Sequence, residues 1–216
     1  MKTLFLTSSV SGVAHDLPRH FPQGTKGLRL AFIDTAAEVE TGDKTWLKDD
    51  RQSLVDVEFV VEDYTYTGKT KNELLSDLTK VDVLYFSGGN TSYALQQLQK
   101  CDGVEVVREL ILEKSKPYIG TSAGSIMAGP DISPATRLEK IGKAPELKDF
   151  IGLNLVNFVI FPHWGSEHFR KLYVQKYEQF KQAYKEEQHP IVLLSDKQYI
   201  YVKDHWFQVV DVSKTV

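Results

Sequence analysis

Apolar residues in this chain fall into short runs, and between the runs lie longer stretches with helical spacing. Thr3–Thr7 and Leu28–Asp34 are the first two runs, and each suits a buried strand. Asp43–Leu54 is mostly polar, yet Trp46, Leu47 and Leu54 share one helical face. Val55–Val61 reads as a third strand and Asp82–Phe86 as a fourth. Asn72–Leu78 is a short helix with Leu74, Leu75 and Leu78 as its stripe, and Thr91–Gln99 and Val104–Lys114 are helices by the same test. Tyr118–Ile119 is a further, very short strand. Strands alternating with helices favour a parallel sheet covered on both faces. Sheets of that kind place their functional groups at the carboxyl ends of the strands.

The second half changes character. Asn157–Phe161 is a strand, and Ser166–Glu186 is a long helix carrying Phe169, Leu172, Tyr173, Tyr177, Phe180 and Tyr184, which read as core packing. Ile191–Leu194, Tyr199–Val202 and Trp206–Val210 follow as three short strands joined by tight turns. Asp204-His205 suits a two-residue hairpin turn, which leaves His205 exposed. There is no internal repeat, low-complexity segment or linker, so the reading is a single domain over residues 1–216.

Composition narrows the function. The net charge is −3 with both signs interspersed, which gives no footprint for nucleic acid or an anionic membrane. Cys101 is the only cysteine, so neither a disulfide framework nor a thiolate zinc site is expected. The start, M-K-T-L-F-L-T-S-S, has too short an apolar run for a signal peptide, and no run approaches a membrane span. The expected setting is the cytoplasm.

The chemistry gathers in G-T-S-A-G, Gly120 to Gly124, where the short strand turns sharply into helix formers. That is the grammar of a nucleophile elbow, G-x-S-x-G, with Ser122 at its tip. Bulky side chains two residues either side of the serine would collide. A second turn, Y-F-S-G-G-N-T from Tyr85 to Thr91, also ends a strand and opens a helix. It can supply backbone N–H groups at Gly89, beside that of Ala123, to an oxyanion. Asn90 is either a substrate contact or the helix N-cap. A serine nucleophile needs a base. His163, in V-I-F-P-H-W-G, ends an apolar run and so shares a sheet edge with Ser122, whereas His15, His20 and His189 lie in polar segments. The base needs an acid. Glu139 lies between serine and histidine, Asp196 ends a strand or occupies a hairpin turn, and Asp131 in D-I-S-P reads as a turn. No metal-ligand pattern such as H-E-x-x-H occurs.

G-T-S-A-G-S, the upstream Y-F-S-G-G-N-T and the downstream N-L-V-N-F-V-I-F-P-H together resemble the dipeptidase E/cyanophycinase family of serine peptidases, over roughly residues 1–211. The nearest likeness is to its small bacterial members. The resemblance implies a flavodoxin-like α/β/α sandwich with a mostly parallel sheet, related to class I glutamine amidotransferases. It implies Ser122 as nucleophile, His163 as base, Glu139 as third member, and Gly89 and Ala123 as oxyanion donors. It also implies small peptide substrates, a basic residue for a substrate carboxylate with Arg137 and Arg170 as candidates, and neither metal nor cofactor. The expected assembly is a monomer or homodimer without nucleic acid or membrane partners. Two rivals remain at this stage. An esterase or amidase of the larger α/β-hydrolase type has the same order of serine, acid and histidine, but His163 follows Ser122 too soon for that fold. A binding module could keep the elbow as an idle pocket.

Overall fold

The computed structural model describes residues 1–136, 141–167, 170–171, 177–186 and 188–214. The described residues form nine strands: β1 Thr3–Thr7, β2 Arg29–Ile33, β3 Val60–Tyr64, β4 Val83–Phe86, β5 Tyr118–Thr121, β6 Val159–Phe161, β7 Ile191–Leu193, β8 Gln198–Lys203 and β9 Trp206–Asp211. The described helices are α1 Thr45–Asp56, α2 Lys71–Thr79, α3 Thr91–Lys100, α4 Gly103–Leu112, α5 Ala123–Met127, α6 Ser133–Thr136 and α7 Tyr177–Glu186. None of them is long and apolar enough to cross a membrane.

Seven strands form one sheet in the order β3-β2-β4-β5-β1-β8-β9. The first five run parallel, and β8 and β9 add an antiparallel edge. β1 shows why its residues suit a central strand. Leu4 and Leu6 point into one core with Leu74, Leu78, Val107 and Leu110 of α2 and α4. Phe5 points the other way, into a core with Val10, Leu17, Leu54 and Tyr199. Alternation sends successive side chains to opposite faces, and both faces here are covered, so the strand is apolar throughout. The fold is the expected α/β class with a mostly parallel sheet.

The helix starts follow from local chemistry. Thr70 and Glu73 close a reciprocal capping box on α2. Asn90 Oδ1 accepts the Tyr93 N–H at 2.9 Å and so caps α3.

Three elements differ from expectation. Val55–Val61 is not one strand: α1 continues to Asp56, the chain reverses at Glu58 with φ +68°, and β3 begins only at Val60. Burial of Leu54 against the second core holds the helix through that point, and the alternating valines fit either state. The stretch around His15 and His20, read as polar, belongs to two 3-10 segments, Val10–Gly12 and Ala14–His20, that bury Val10, Ala14 and Leu17, with Val13 buried between them. Finally, β7 is not joined to β8 as neighbouring strands. It pairs in parallel with β6 in a separate two-stranded sheet, with Val159 opposite Ile191 and Phe161 opposite Leu193. The β8–β9 hairpin does turn at Asp204-His205, and His205 is exposed. The long helix expected over Ser166–Glu186 includes residues outside the described set.

Candidate active site

Sheet order brings the sequence motifs together. β4, β5 and β1 are consecutive and parallel, so the chain leaves all three at one edge. Gly88-Gly89 follows β4, Ser122 follows β5 and Ser8 follows β1. β6 and β7 also run parallel to each other and lead to His163 and Asp196.

Ser122 sits at φ +49° and ψ −105°, outside the regions an L-residue prefers. Its N–H is tied to Thr7 O at 3.0 Å, and Ser125 Oγ donates to Thr7 O and Gly120 O at 2.7 and 2.8 Å. These bonds hold the elbow on β1 and β5 against its own strain. The two flanking glycines are required by close approach: a Cβ on Gly120 would meet the Gly124 carbonyl at 2.8 Å, and one on Gly124 would lie 2.2 Å from Phe86 O. Phe86 O belongs to a central strand and cannot step aside. Gly124→Ala is therefore expected to destabilise the fold by about 2–3 kcal/mol. Gly142→Ala, at a position with open space around it, is the control. Denaturation midpoints check this, and equal midpoints for the two variants would reject the steric account.

Ser122 Oγ and His163 Nε2 are 2.9 Å apart, and His163 Nδ1 and Asp196 Oδ1 are 2.7 Å apart. An ionised carboxylate has only acceptors, so the Nδ1 contact puts the ring proton on Nδ1 and leaves the Nε2 lone pair for the serine hydroxyl. Hydrogen bonding to His163 holds Asp196 below the usual carboxylate range, against the opposing effect of burial and with help from Ser8. His163 is itself in the left-handed region at φ +59°. Its turn is stitched to the end of β7 by Trp164 N–H to Leu194 O at 3.0 Å.

Of the other expected site residues, Gly88-Gly89 closes on the elbow: Ser122 Cβ lies 3.4 Å from where a Cβ on Gly88 would stand. Trp46 Cζ3 lies 3.4 Å from the same point, so α1 walls the glycine turn. Ala123 begins α5 directly after the serine. Asn90 serves as the cap of α3, and its side-chain oxygen is thereby engaged. Arg170 is exposed, with its N–H on Ser166 O at 2.8 Å. Asp131 accepts from Ser133, as the turn reading has it. Arg137 and Glu139 lie outside the described residues. The Nδ1 side of His163 is occupied by Asp196, the acid kept as the alternative to Glu139.

Two groups near the site carried no functional expectation. Ser8 Oγ lies 2.6 Å from Asp196 Oδ1 and accepts the His163 N–H at 2.6 Å. Its only sequence signal is its position at the end of a strand beside the elbow. Asp50 of α1 is buried and accepts from Tyr85 Oη and the Ser11 N–H at 2.9 and 3.2 Å. Burial pushes its carboxyl up to about 6 despite those bonds.

The profile of peptidase family S51 matches residues 4–210. The chain is 30% identical over 203 residues to an uncharacterized peptidase of Listeria monocytogenes, covering 93% of this chain and 98% of that one. It is 32% identical over 166 residues to an uncharacterized peptidase of Pasteurella multocida, covering 77% and 79% of the two chains. A stretch of 89 residues is 38% identical to Peptidase E of Shewanella oneidensis, 41% of this chain and 36% of that protein. Among solved structures, a Listeria monocytogenes EGD-e protein provisionally named Peptidase E superposes with a TM-score of 0.86 at 28% identity, covering 98% of each chain. A peptidase from an acI-B1 Actinobacterium shares the fold, with a TM-score of 0.69 at 16% identity over 98% of this chain and 88% of that one.

Proposed function

The chain belongs to peptidase family S51, and from that premise we propose that it hydrolyses short peptides through Ser122, His163 and Asp196 by way of an acyl-enzyme. Ser122 Oγ attacks the scissile carbonyl while His163 Nε2 takes its proton. The carbonyl oxygen becomes an oxyanion facing the N–H groups of Gly89 and Ala123. Collapse of that intermediate breaks the C–N bond, and the imidazolium returns the proton to the leaving amine. The ester on Ser122 is then attacked by water, with His163 again as base, and the acid product leaves with the serine restored. Asp196 keeps the imidazole in the tautomer that faces the serine and stabilises the imidazolium. Each oxyanion donor is worth roughly 3–4 kcal/mol in the transition state.

The observation that carries this reading is the unbroken line from Ser122 through His163 to Asp196, at 2.9 and 2.7 Å, on a strained elbow. It favours a working hydrolase over an idle binding module, which has no use for an aligned base and acid. Trp46 stands beside the glycine turn and Trp164 beside the base, each partly exposed at 37% and 40%. Walls of that size on both sides suit di- or tripeptides better than a folded chain.

The test is kcat/KM of the purified protein on Asp-X, Glu-X and Ala-X dipeptides and on casein. The expected result is turnover of dipeptides with no cleavage of casein. Casein cleavage at a rate comparable with the dipeptides would overturn the size reading. An acidic preference that Arg137→Ala or Arg170→Ala removes would assign that arginine to the substrate carboxylate.

A further inference from the structure

Ser8 is fully buried at the carboxyl end of β1, and its one hydroxyl meets both Asp196 and the backbone of His163. We infer that Ser8 is a positioning residue for the peptidase reaction, fixing His163 and Asp196 relative to each other and to Ser122. The inference rests on the triad proposed above.

The hydrogen bonds are directional. The His163 backbone N–H donates to Ser8 Oγ at 2.6 Å, and the hydroxyl donates its own proton to Asp196 Oδ1 at 2.6 Å. Ser8 Oγ also lies 3.3 Å from His163 Nδ1. One atom thus ties the backbone of the base to the carboxylate of the acid. The tie matters because His163 is held at φ +59°, where an L-residue stays only if its surroundings fix it. Asp196 needs fixing too, as its side chain is 39% exposed and water competes for its oxygens.

The turn that presents Ser8 is anchored on both sides. The Ser11 N–H donates to the buried Asp50 carboxylate, which Tyr85 of β4 also holds. Gly12 lies so close to the acid's backbone that a Cβ there would stand 2.2 Å from Asp196 O. Residues 8–12 therefore form a rigid template linking the seven-stranded sheet to the base and acid, which arrive from the smaller sheet.

Removing the hydroxyl has a consequence that simple loss of packing does not. Asp196 loses a donor and becomes more basic, so it attracts the His163 imidazolium more strongly. The acid limb of kcat/KM then moves to higher pH. Asp50 on α1 interacts with His163 and Lys197 with Asp196, and the substitution leaves both in place.

The experiment compares kcat, KM and the pH profile on a cleaved dipeptide for wild type, Ser8→Ala, Asp196→Asn and the double variant. Ser8→Ala is expected to lower kcat about 10- to 100-fold, the range for partners that orient a functional histidine. KM should change little and the acid limb should rise. In the Asp196→Asn background the same substitution should cost much less, because its partner is already lost. If Ser8→Ala does not fold, Ser8→Cys keeps the shape with only a weak donor and carries the same test. A Ser8 variant with wild-type kcat and an unmoved pH profile, beside a crippled Asp196→Asn, overturns this inference alone. A harmless Asp196→Asn overturns the triad on which it rests.

Discussion

Ser122→Ala is expected to lower kcat on any cleaved peptide by a factor on the order of a million, the scale found when a serine nucleophile is removed from a working triad. Every other candidate group serves this atom, so no partial substitute remains beyond the oxyanion donors and substrate binding. Stability should hardly change. The Ser122 backbone bonds run through N–H to Thr7 O and through O to the Ile126 N–H, and alanine keeps both. The side chain gives up one bond to His163. Thermal unfolding, turnover and labelling by a fluorophosphonate should be measured on the same preparation. A variant that unfolds at the wild-type temperature and still turns over within tenfold of wild type would show that the nucleophile lies elsewhere.

The second large effect concerns the acid. Asp196→Asn is expected to cost about 10³- to 10⁴-fold in kcat, because the amide can offer Nδ1 a donor and so trap the wrong tautomer. Glu139→Gln is expected to cost less than about tenfold, because His163 Nδ1 already has Asp196 as its partner at 2.7 Å. This ranking reverses the one the family resemblance suggests, and the reason is the 2.7 Å contact between Asp196 and Nδ1. The pH behaviour follows with its sign. The carboxyl of Asp196 is depressed in the fold, so its contribution to stability is present above about pH 4, the unfolded carboxylate value, and is lost as pH falls through the folded value. Wild type should lose more stability than Asp196→Asn on acidification. If Glu139→Gln proves the crippling change, the acid role passes to that residue.

Much of this site was legible in the sequence because its parts are local. The elbow needs only five residues, and the clash that forces Gly120 and Gly124 is a property of that turn alone. Gly89 and His163 were legible for a similar reason: each ends an apolar run, and strand ends share an edge in a parallel sheet. What the sequence hid depends on pairing between distant segments. β6 and β7 lie apart in the chain, and nothing in V-I-F or I-V-L says that they form a sheet of their own. Without that pairing, Asp196 could not be ranked above Glu139. Ser8 was hidden more deeply, since a serine after a first strand is ordinary until β1 is known to lie beside β5. Val55–Val61 shows the other limit, where valine alternation fits a strand but a buried Leu54 prolongs the helix.

The division between the two sheets also bears on how the chain is made. The first strand, the glycine turn and the elbow all precede residue 130, whereas His163 and Asp196, the proposed base and acid, come from the last third of the chain. The bond from Ser8 to Asp196 spans 188 positions. Synthesis runs from the N-terminus, and the early strands can assemble while the rest is still being added. On the proposed triad, a nascent chain thus carries its serine in place well before anything can deprotonate it. On the same reading, hydrolysis waits until β6 and β7, which lead to His163 and Asp196, have joined the rest of the chain.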